Sequence, residues 1–217
     1  MKTHIESLSS FLSDLVVYQP PGLLLCLAVA GIEGGKYLKA FRHEFIGTAL
    51  MIGATFSAGK WIGKESLRMA WTSHGLGVIA ADYIGGGPHV NPAVTMSMWC
   101  LGKCSYTEGF VRVAAQLAGG LVSFPLYHAI SNAYDLEPFG GPEFNIPDDA
   151  DHAVEAFLSE YFATMLLMFT IYTLNWELHF GDFHYIIKQS LTAVAIRALI
   201  ELFPTAGPAM NPMLATA

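Results

Sequence analysis

The chain has 217 residues, of which 53% are hydrophobic and only 13% charged, and its formal net charge is −7. Soluble domains carry about 25% charged residues, so this composition favours an all-α integral membrane protein over a soluble one. No basic run exceeds a few residues, which argues against nucleic-acid binding. The three cysteines have neither disulfide nor zinc spacing, and we predict no metal site and no cofactor.

The N-terminal segment, residues 1–43, is partly apolar but is interrupted by Asp14 and by Pro20-Pro21. Because a double proline breaks a helix, we predict an amphipathic approach to the membrane, with a reentrant piece or an extra helix as alternatives. Later apolar stretches approach the ~20 residues that a membrane-spanning helix needs. Five spans are predicted, at about 44–61, 67–84, 109–131, 154–174 and 185–203.

A shorter apolar run lies between the second and third spans, from Asn91-Pro92-Ala93 to Leu101. About ten residues at ~1.5 Å each make a helix of about 15 Å, half of the ~30 Å hydrocarbon core. Such a half-length helix must be buried in protein or line a cavity. The sequence therefore predicts a folded pore or transporter.

An internal repeat organises the chain. Glu44 and Glu160, 116 positions apart, each precede an aromatic, an apolar residue, a small residue and Thr, while Asn91-Pro92 and Asn211-Pro212 are separated by 120 positions. The repeat predicts a first unit at 44–131, an acidic connecting loop at 132–153 on the non-cytoplasmic side, and a second unit at 154–217. An odd number of spans per unit inverts the second copy, as in transporters with midplane sites. The second unit stops before its third helix, so five of six spans are predicted.

The two Asn-Pro pairs predict two half-helix starts. Asn is among the best N-cap residues and Pro suits the first helical position. With the side-chain oxygen tied to the helix, the amide NH₂ is left free to donate into a pore. Two such caps meeting head to head present two donors and two positive helix ends, which would pass water while interrupting proton hopping and repelling cations.

Two acidic residues lie inside predicted spans, where an ionisable group is costly and usually has a purpose. We interpret Glu44 and Glu160 as buried acceptors for the backbone of the half-helix loops. His89 and Asp82 are interpreted as polar packing groups rather than as ligands.

The segment from Gly87 to Thr95, Gly-Pro-His-Val-Asn-Pro-Ala-Val-Thr, resembles the first signature box of the aquaporin (major intrinsic protein) family. The stretch around Gln116 is similar to that family's third helix, and Glu44 and Glu160 match its first and fourth. The resemblance implies a six-helix hourglass in the lipid bilayer, usually a homotetramer, that passes water and small neutral solutes. It also implies that Asn91 and Asn211 are the central pore donors.

The second box departs from the family, because it reads Asn-Pro-Met213-Leu214 where most members have Asn-Pro-Ala-Arg. The missing arginine lines the family's outer constriction, so Leu214 implies a more apolar filter that favours neutral solutes along with water. The other filter candidates are Trp71 or His74 on the second helix, Ala198 or Leu199 on the fifth, and Pro208.

Arg197 and Glu201 lie four residues apart, on one face of the fifth predicted helix. They are either a structural ion pair near the membrane surface, or Arg197 replaces the missing filter arginine.

Three function classes remain. A channel is favoured; a non-conducting relative or fragment is the main alternative; an intramembrane enzyme is disfavoured because no catalytic or metal motif is found. The unorthodox box is shared with subcellular members of the family, so placement in the plasma membrane or an internal membrane is left open.

Overall fold

A computed structural model describes residues 35–57, 61, 67–141, 150–203 and 209–217. Residues 1–34, most of the predicted N-terminal segment, and the filter candidate Pro208 lie outside the described residues.

The described part of the chain is helical and contains no strand. A π-helical turn, Thr173–Glu177, and a short 3-10 turn, Gly181–Phe183, lie between the last two long helices. The α-helices are α1 (Lys36–Ser57), α2 (Leu67–Gly85), α3 (Pro92–Cys100), α4 (Tyr106–Ala133), α5 (Ala150–Tyr172), α6 (His184–Leu202) and α7 (Pro212–Thr216).

The helix bounds agree with the predicted spans to within a few residues, except at two N-terminal ends. Helix α1 begins at Lys36 rather than at Glu44, so the last residues of the predicted N-terminal segment, 36–43, belong to the first helix. Helix α5 begins at Ala150, so the acidic loop ends earlier than predicted. The half-length helix after Asn91 is present as α3, with 9 residues.

Two of the helical segments are long and apolar enough to cross a bilayer by length and composition alone, Tyr106–Ala133 and His152–Glu177. Helices α1, α2 and α6 have 22, 19 and 19 residues, which is also close to membrane-spanning length. They carry charged residues, such as Glu44 in α1, Asp82 in α2 and Arg197 in α6. Each of these side chains bonds to another side chain, Glu44 to Arg112, Asp82 to Tyr185 and Arg197 to Glu201.

Glycines allow the helices around the two half-helices to approach closely. A Cβ atom at Gly119 of α4 would lie 3.0 Å from the Cβ of Thr48 and 3.1 Å from the backbone oxygen of Phe45. At Gly120, it would lie 2.5 Å from the Sδ of Met213 on α7. Met213 is fully buried in a cluster with Met51, Ile52, Ala81 and Phe139. Helix α4 thus packs on both α1 and the second half-helix.

We expect Gly119→Ala to destabilise the fold by about 1–3 kcal/mol, because the added methyl group meets backbone that cannot move away. This loss should appear despite the gain of about 1 kcal/mol in helix propensity. Thermal unfolding of the purified protein in detergent measures it.

Gly75→Ala is the matched control, since the same change in helix α2 brings the new Cβ no closer than 3.8 Å to Ala193. It should leave stability unchanged or raise it. Equal effects of the two substitutions would show that the α1–α4 approach is not tightly packed.

Candidate pore

The two half-helices begin with the same cap. The Oδ1 of Asn91 accepts a hydrogen bond from the backbone nitrogen of Ala93 at 2.8 Å, and Pro92 occupies the first helical position. The Oδ1 of Asn211 accepts from the nitrogen of Met213 at 3.1 Å, with Pro212 in the equivalent place. Each cap therefore fixes its asparagine against its own helix.

The two caps also bind each other. The Nδ2 of Asn91 donates to the carbonyl of Met210 at 2.8 Å, and the Nδ2 of Asn211 donates to the carbonyl of Val90 at 2.9 Å. The sequence prediction of a wholly free amide was wrong for this reason: each NH₂ has two hydrogens, and one of them holds the opposite repeat. One hydrogen per asparagine remains for a molecule in the cavity.

The residue before each asparagine adopts a left-handed backbone conformation. Val90 has a φ of 51° and Met210 a φ of 49°, values that are rare for residues with a side chain and an outlier for a β-branched one. This conformation turns each carbonyl toward the opposite cap. Such backbone strain persists only where the surroundings over-determine it.

Glu44 supplies that restraint for the first half-helix. Its carboxylate is fully buried and accepts from the backbone nitrogens of His89 and Val90, both at 2.8 Å. The Nη1 of Arg112 lies 2.6 Å from the same carboxylate, which balances its charge. The sequence analysis did not predict this partner.

Glu160 occupies the corresponding place in the second repeat. Its Oε1 accepts from the backbone nitrogen of Met210 at 2.6 Å. In the structure as described, no arginine or lysine pairs with Glu160. Among the described residues, the two glutamates therefore make the same kind of backbone contact, and only Glu44 has a cationic partner.

Gln116 links the first carboxylate to the first half-helix. Its Nε2 donates to Glu44 at 2.9 Å and to the Oγ1 of Thr95 at 2.9 Å. Thr95 also contacts the Nδ1 of His89 at 3.1 Å and donates to the carbonyl of Asn91 at 3.2 Å. These contacts place His89 in the support of the box.

A cavity of about 750 Å³ runs past both asparagines. Helices α2, α5 and α6 and both half-helix loops contribute to its wall. The lining combines apolar side chains with many polar ones, among them Asp82, Lys188 and Thr192. Asn91 and Asn211 belong to the lining but are only 6% and 5% exposed.

The filter candidates separate into two groups. His74 and Leu214 line the cavity, as do Ile196, Arg197 and Ile200 on α6. Other candidates do not. Trp71 lines a separate shallow groove between α2 and α6, and Leu199 is buried against α5 and Met210.

Ala198 is likewise absent from the cavity lining. On this helix, α6, the residues that line the cavity are the neighbouring Ile196 and Arg197 rather than the predicted Ala198 and Leu199. At ~3.6 residues per turn, such a shift moves a side chain to another face of the helix.

The other end of the cavity carries a second polar group of residues. The hydroxyl of Tyr185 donates to the Oδ2 of Asp82 at 2.8 Å, which joins α6 to α2. The Nζ of Lys188 donates to the Oδ1 of Asn175 at 2.9 Å. Asp82 thus has the packing role that the sequence suggested, while Lys188 and Asn175 were missed because neither lies in a recognisable motif.

We expect Glu44→Gln to destabilise the protein by about 3 kcal/mol or more. The substitution leaves Arg112 without its buried counter-charge, and it turns an amide NH₂ toward a backbone N–H. Unfolding in detergent, followed by circular dichroism, measures the change.

Glu108→Gln is the matched control, because Glu108 pairs with the same arginine at 2.8 Å but is 29% exposed. Its loss should be about 1 kcal/mol or less. Similar losses for the two variants would refute the view that the buried carboxylate holds the half-helix.

Comparison with known proteins identifies the family of the chain and several of its relatives. The sequence pattern of the major intrinsic protein family matches residues 32–216. The chain is 29% identical to an aquaglyceroporin of Plasmodium berghei, over 82% of this chain and 73% of the relative. It is 26% identical to the glycerol uptake facilitator protein of Escherichia coli (78% and 68% covered) and 27% identical to a probable aquaporin of Arabidopsis thaliana (81% and 72%).

The fold has a solved counterpart. The X-ray structure of the aquaglyceroporin from Plasmodium falciparum superposes with a TM-score of 0.61 at 22% identity, covering 82% of this chain and 78% of that one. This match confirms the predicted aquaporin-like fold. Since the family pattern covers most of the sequence, the chain belongs to the major intrinsic protein family of multi-pass membrane proteins.

Proposed function

We propose that the cavity is the pore of a passive channel for water and small uncharged solutes, with Asn91 and Asn211 as its central donors. The observation that carries this proposal is the meeting of the two caps. Each amide has one hydrogen committed to the opposite repeat and one available toward the cavity that both residues line.

Proton and cation exclusion follow from the same arrangement. A water molecule at the two amides accepts hydrogen bonds from them and donates none in return. It therefore cannot relay a proton along a row of water molecules in the pore. The N-termini of α3 and α7 point at this place, and their partial positive charges oppose a cation. Neutral molecules meet no such barrier.

The cavity wall favours small polar molecules without charge. Its lining combines apolar side chains with polar ones, and Leu214 stands where the family resemblance implies an arginine. A solute must therefore present its carbon skeleton to the wall and its hydroxyl groups to a few polar atoms. The names of the relatives, a glycerol uptake facilitator and aquaglyceroporins, support glycerol as a solute beside water.

In the membrane, we propose a homotetramer with one pore in each subunit. The outward faces of the helices carry large apolar side chains, and those of α5 are prominent, with Phe157 67% and Phe169 68% exposed. Such surfaces suit lipid or a neighbouring subunit. Analytical ultracentrifugation in density-matched detergent should give about four times the 23.5 kDa of one chain; a monomer mass at all protein concentrations would contradict the proposal.

The channel is tested in proteoliposomes by stopped-flow light scattering. Inserted protein should speed osmotic water loss and glycerol entry over protein-free vesicles. Asn91→Asp keeps the cap oxygen, removes both the bond to the Met210 carbonyl and the donor that faces the cavity, and adds a negative charge where the helix ends meet. We expect water permeability to fall about tenfold, the weight of one lost hydrogen bond of about 1.4 kcal/mol, and sodium entry to rise.

Asn132→Asp is the control, since it makes the same change at an exposed position on α4 and should conduct like the unchanged protein. Vesicles with correctly inserted protein that shrink no faster than protein-free vesicles would refute the channel. Glycerol entry at the protein-free rate, with fast water loss, would refute the solute assignment alone.

A further inference from the structure

A partly buried lysine of α6 belongs to the wall of the cavity. Lys188, Thr192 and Ile196 follow one another at intervals of four residues, and all three line the cavity. Residues with this spacing lie on one face of a helix. Lys188 is therefore on the face that α6 turns toward the cavity, and not on a face that meets lipid.

Lys188 lies at the end of the cavity where α2 and α5 end and α6 begins. Its Nζ donates to the Oδ1 of Asn175, in the π-helical turn after α5, at 2.9 Å. Trp176, the next residue of that turn, also lines the cavity. We call the part of the wall formed by Lys188, Asn175 and Trp176 the Lys188 mouth. The Nζ of Lys103, from the loop between α3 and α4, lies 5.1 Å from the centre of the Trp176 ring, so two positive charges flank the turn.

The ammonium group of Lys188 has no counter-ion in contact with it. It has three hydrogens to donate, and Asn175, a neutral residue, takes one of them. Within the part of the chain that the structure describes, Lys188 makes no ion pair, whereas Arg197 in the same lining pairs with Glu201. Ionisable side chains inside membrane spans usually pair with one another or serve a function.

The carboxylates around this mouth leave the charge of Lys188 unpaired. Asp82 on α2 lines the same cavity, but its Oδ2 accepts from the hydroxyl of Tyr185. Glu177 and Asp182, between α5 and α6, are exposed. Among the described ion pairs, none joins Lys188 to these three residues. The unpaired ammonium therefore suits an anion that enters the mouth from solution.

The surroundings of Lys188 fit a small organic anion with a single charge. Trp176 is 42% exposed and has an indole N–H that can donate to a second oxygen. Ile171, one turn before Asn175 on α5, also lines the cavity and gives an apolar surface for a short carbon chain. A carboxylate with a few carbon atoms meets all of these features.

We propose that the Lys188 mouth binds a small carboxylate anion and that the bound anion obstructs the row of water molecules in the pore. Lys188 forms a charge-assisted hydrogen bond with the carboxylate, and such bonds are about twice as strong as neutral ones. Because Lys188 lines the same cavity as Asn91 and Asn211, an anion bound to it occupies space that water needs. The obstruction rests on the channel function proposed above, whereas binding of the anion does not.

A purely structural role of Lys188 makes a different prediction. The bond to Asn175 joins α6 to the π-helical turn, and a positive charge near the C-terminal end of α5 is favourable because of the helix dipole. If this were the whole role of Lys188, its removal would lower stability. A carboxylate in solution would then have no effect on water flow.

The test compares lactate with lactamide, a neutral molecule of nearly the same shape. Each is present at equal concentration on both sides of the proteoliposome membrane, and water permeability is measured by stopped-flow light scattering. We expect lactate to slow the protein-dependent water flow in a saturable way and lactamide to leave it unchanged. The lactate concentration that halves the flow should rise about tenfold in Lys188→Met, the effect of losing one hydrogen bond from a charged donor.

Three further variants address folding and charge. Lys188→Arg keeps the positive charge and several donors, so it should keep the response to lactate. Asp82→Asn removes the negative charge from the same wall and keeps an acceptor for Tyr185, so less lactate should be needed. Lys39→Met removes an exposed lysine from α1, outside the cavity, and should respond like the unchanged protein.

Binding is measured separately from conduction, by saturation-transfer difference NMR of lactate with the purified protein in detergent. We expect a lactate signal with the unchanged protein and with Lys39→Met, and a much weaker one with Lys188→Met. Lactamide should give no signal that depends on Lys188.

The outcomes distinguish this site from the channel. Equal lactate signals with the unchanged protein and Lys188→Met would overturn the site, and so would water flow through a conducting protein that lactate does not slow. A loss of response in Lys39→Met equal to that in Lys188→Met would assign the effect to surface charge and also overturn it. Failure of the unchanged protein to conduct water would refute the channel and the obstruction, and the NMR comparison would still decide whether Lys188 binds the anion.

Discussion

The crossed pair of hydrogen bonds between the two asparagine caps is the constraint on which the rest of the structure depends. Two helix N-termini end inside the protein, and their free backbone N–H groups cannot be left without partners in a membrane interior. Each cap satisfies its own helix through Oδ1 and the other repeat through Nδ2. Removing either asparagine therefore leaves unpaired groups in both halves of the molecule.

This junction explains the acidic residues inside the spans. To turn their carbonyls toward the opposite caps, Val90 and Met210 adopt left-handed conformations, and their own N–H groups then point away from the junction. Glu44 and Glu160 accept from those N–H groups. A carboxylate suits this place because it accepts several bonds at once, and Glu44 takes four, two from the loop before α3 and two from α4. The charge it brings is then compensated by Arg112.

Much of this centre could be predicted from the sequence, because repetition makes weak signals specific. A single Asn-Pro pair is an ordinary turn, but two pairs at matching positions of a repeat predicted both half-helices and their caps. The cross-repeat bonds were not predictable, since they depend on backbone conformation at Val90 and Met210. Arg112 was missed because a basic residue near the start of a membrane-spanning helix usually indicates only the orientation of that helix. The neighbouring residues in the sequence do not indicate that its side chain reaches Glu44, which lies 68 positions away.

The cavity wall was harder to predict for a geometric reason. Successive residues on a helix point about 100° apart, so an alignment uncertain by one or two residues exchanges lining and buried positions. On α6 the predicted Ala198 and Leu199 lie outside the lining, whereas the neighbouring Ile196 and Arg197 belong to it. The two half-helices carry no such ambiguity, because Asn occupies the N-cap and Pro the first helical position, and these two residues fix where each helix begins.

The two regions also differ in how freely the sequence can change. At the junction, side chains bond to backbone, so the residue type, its position and the local φ are fixed together. Along the cavity wall, the only requirement is that a side chain faces the cavity, and His74, Ile196 and Leu214 do so from three different helices. None of these positions needs a particular backbone conformation, so a substitution there changes the surface that a molecule in the cavity meets and leaves the two caps in place.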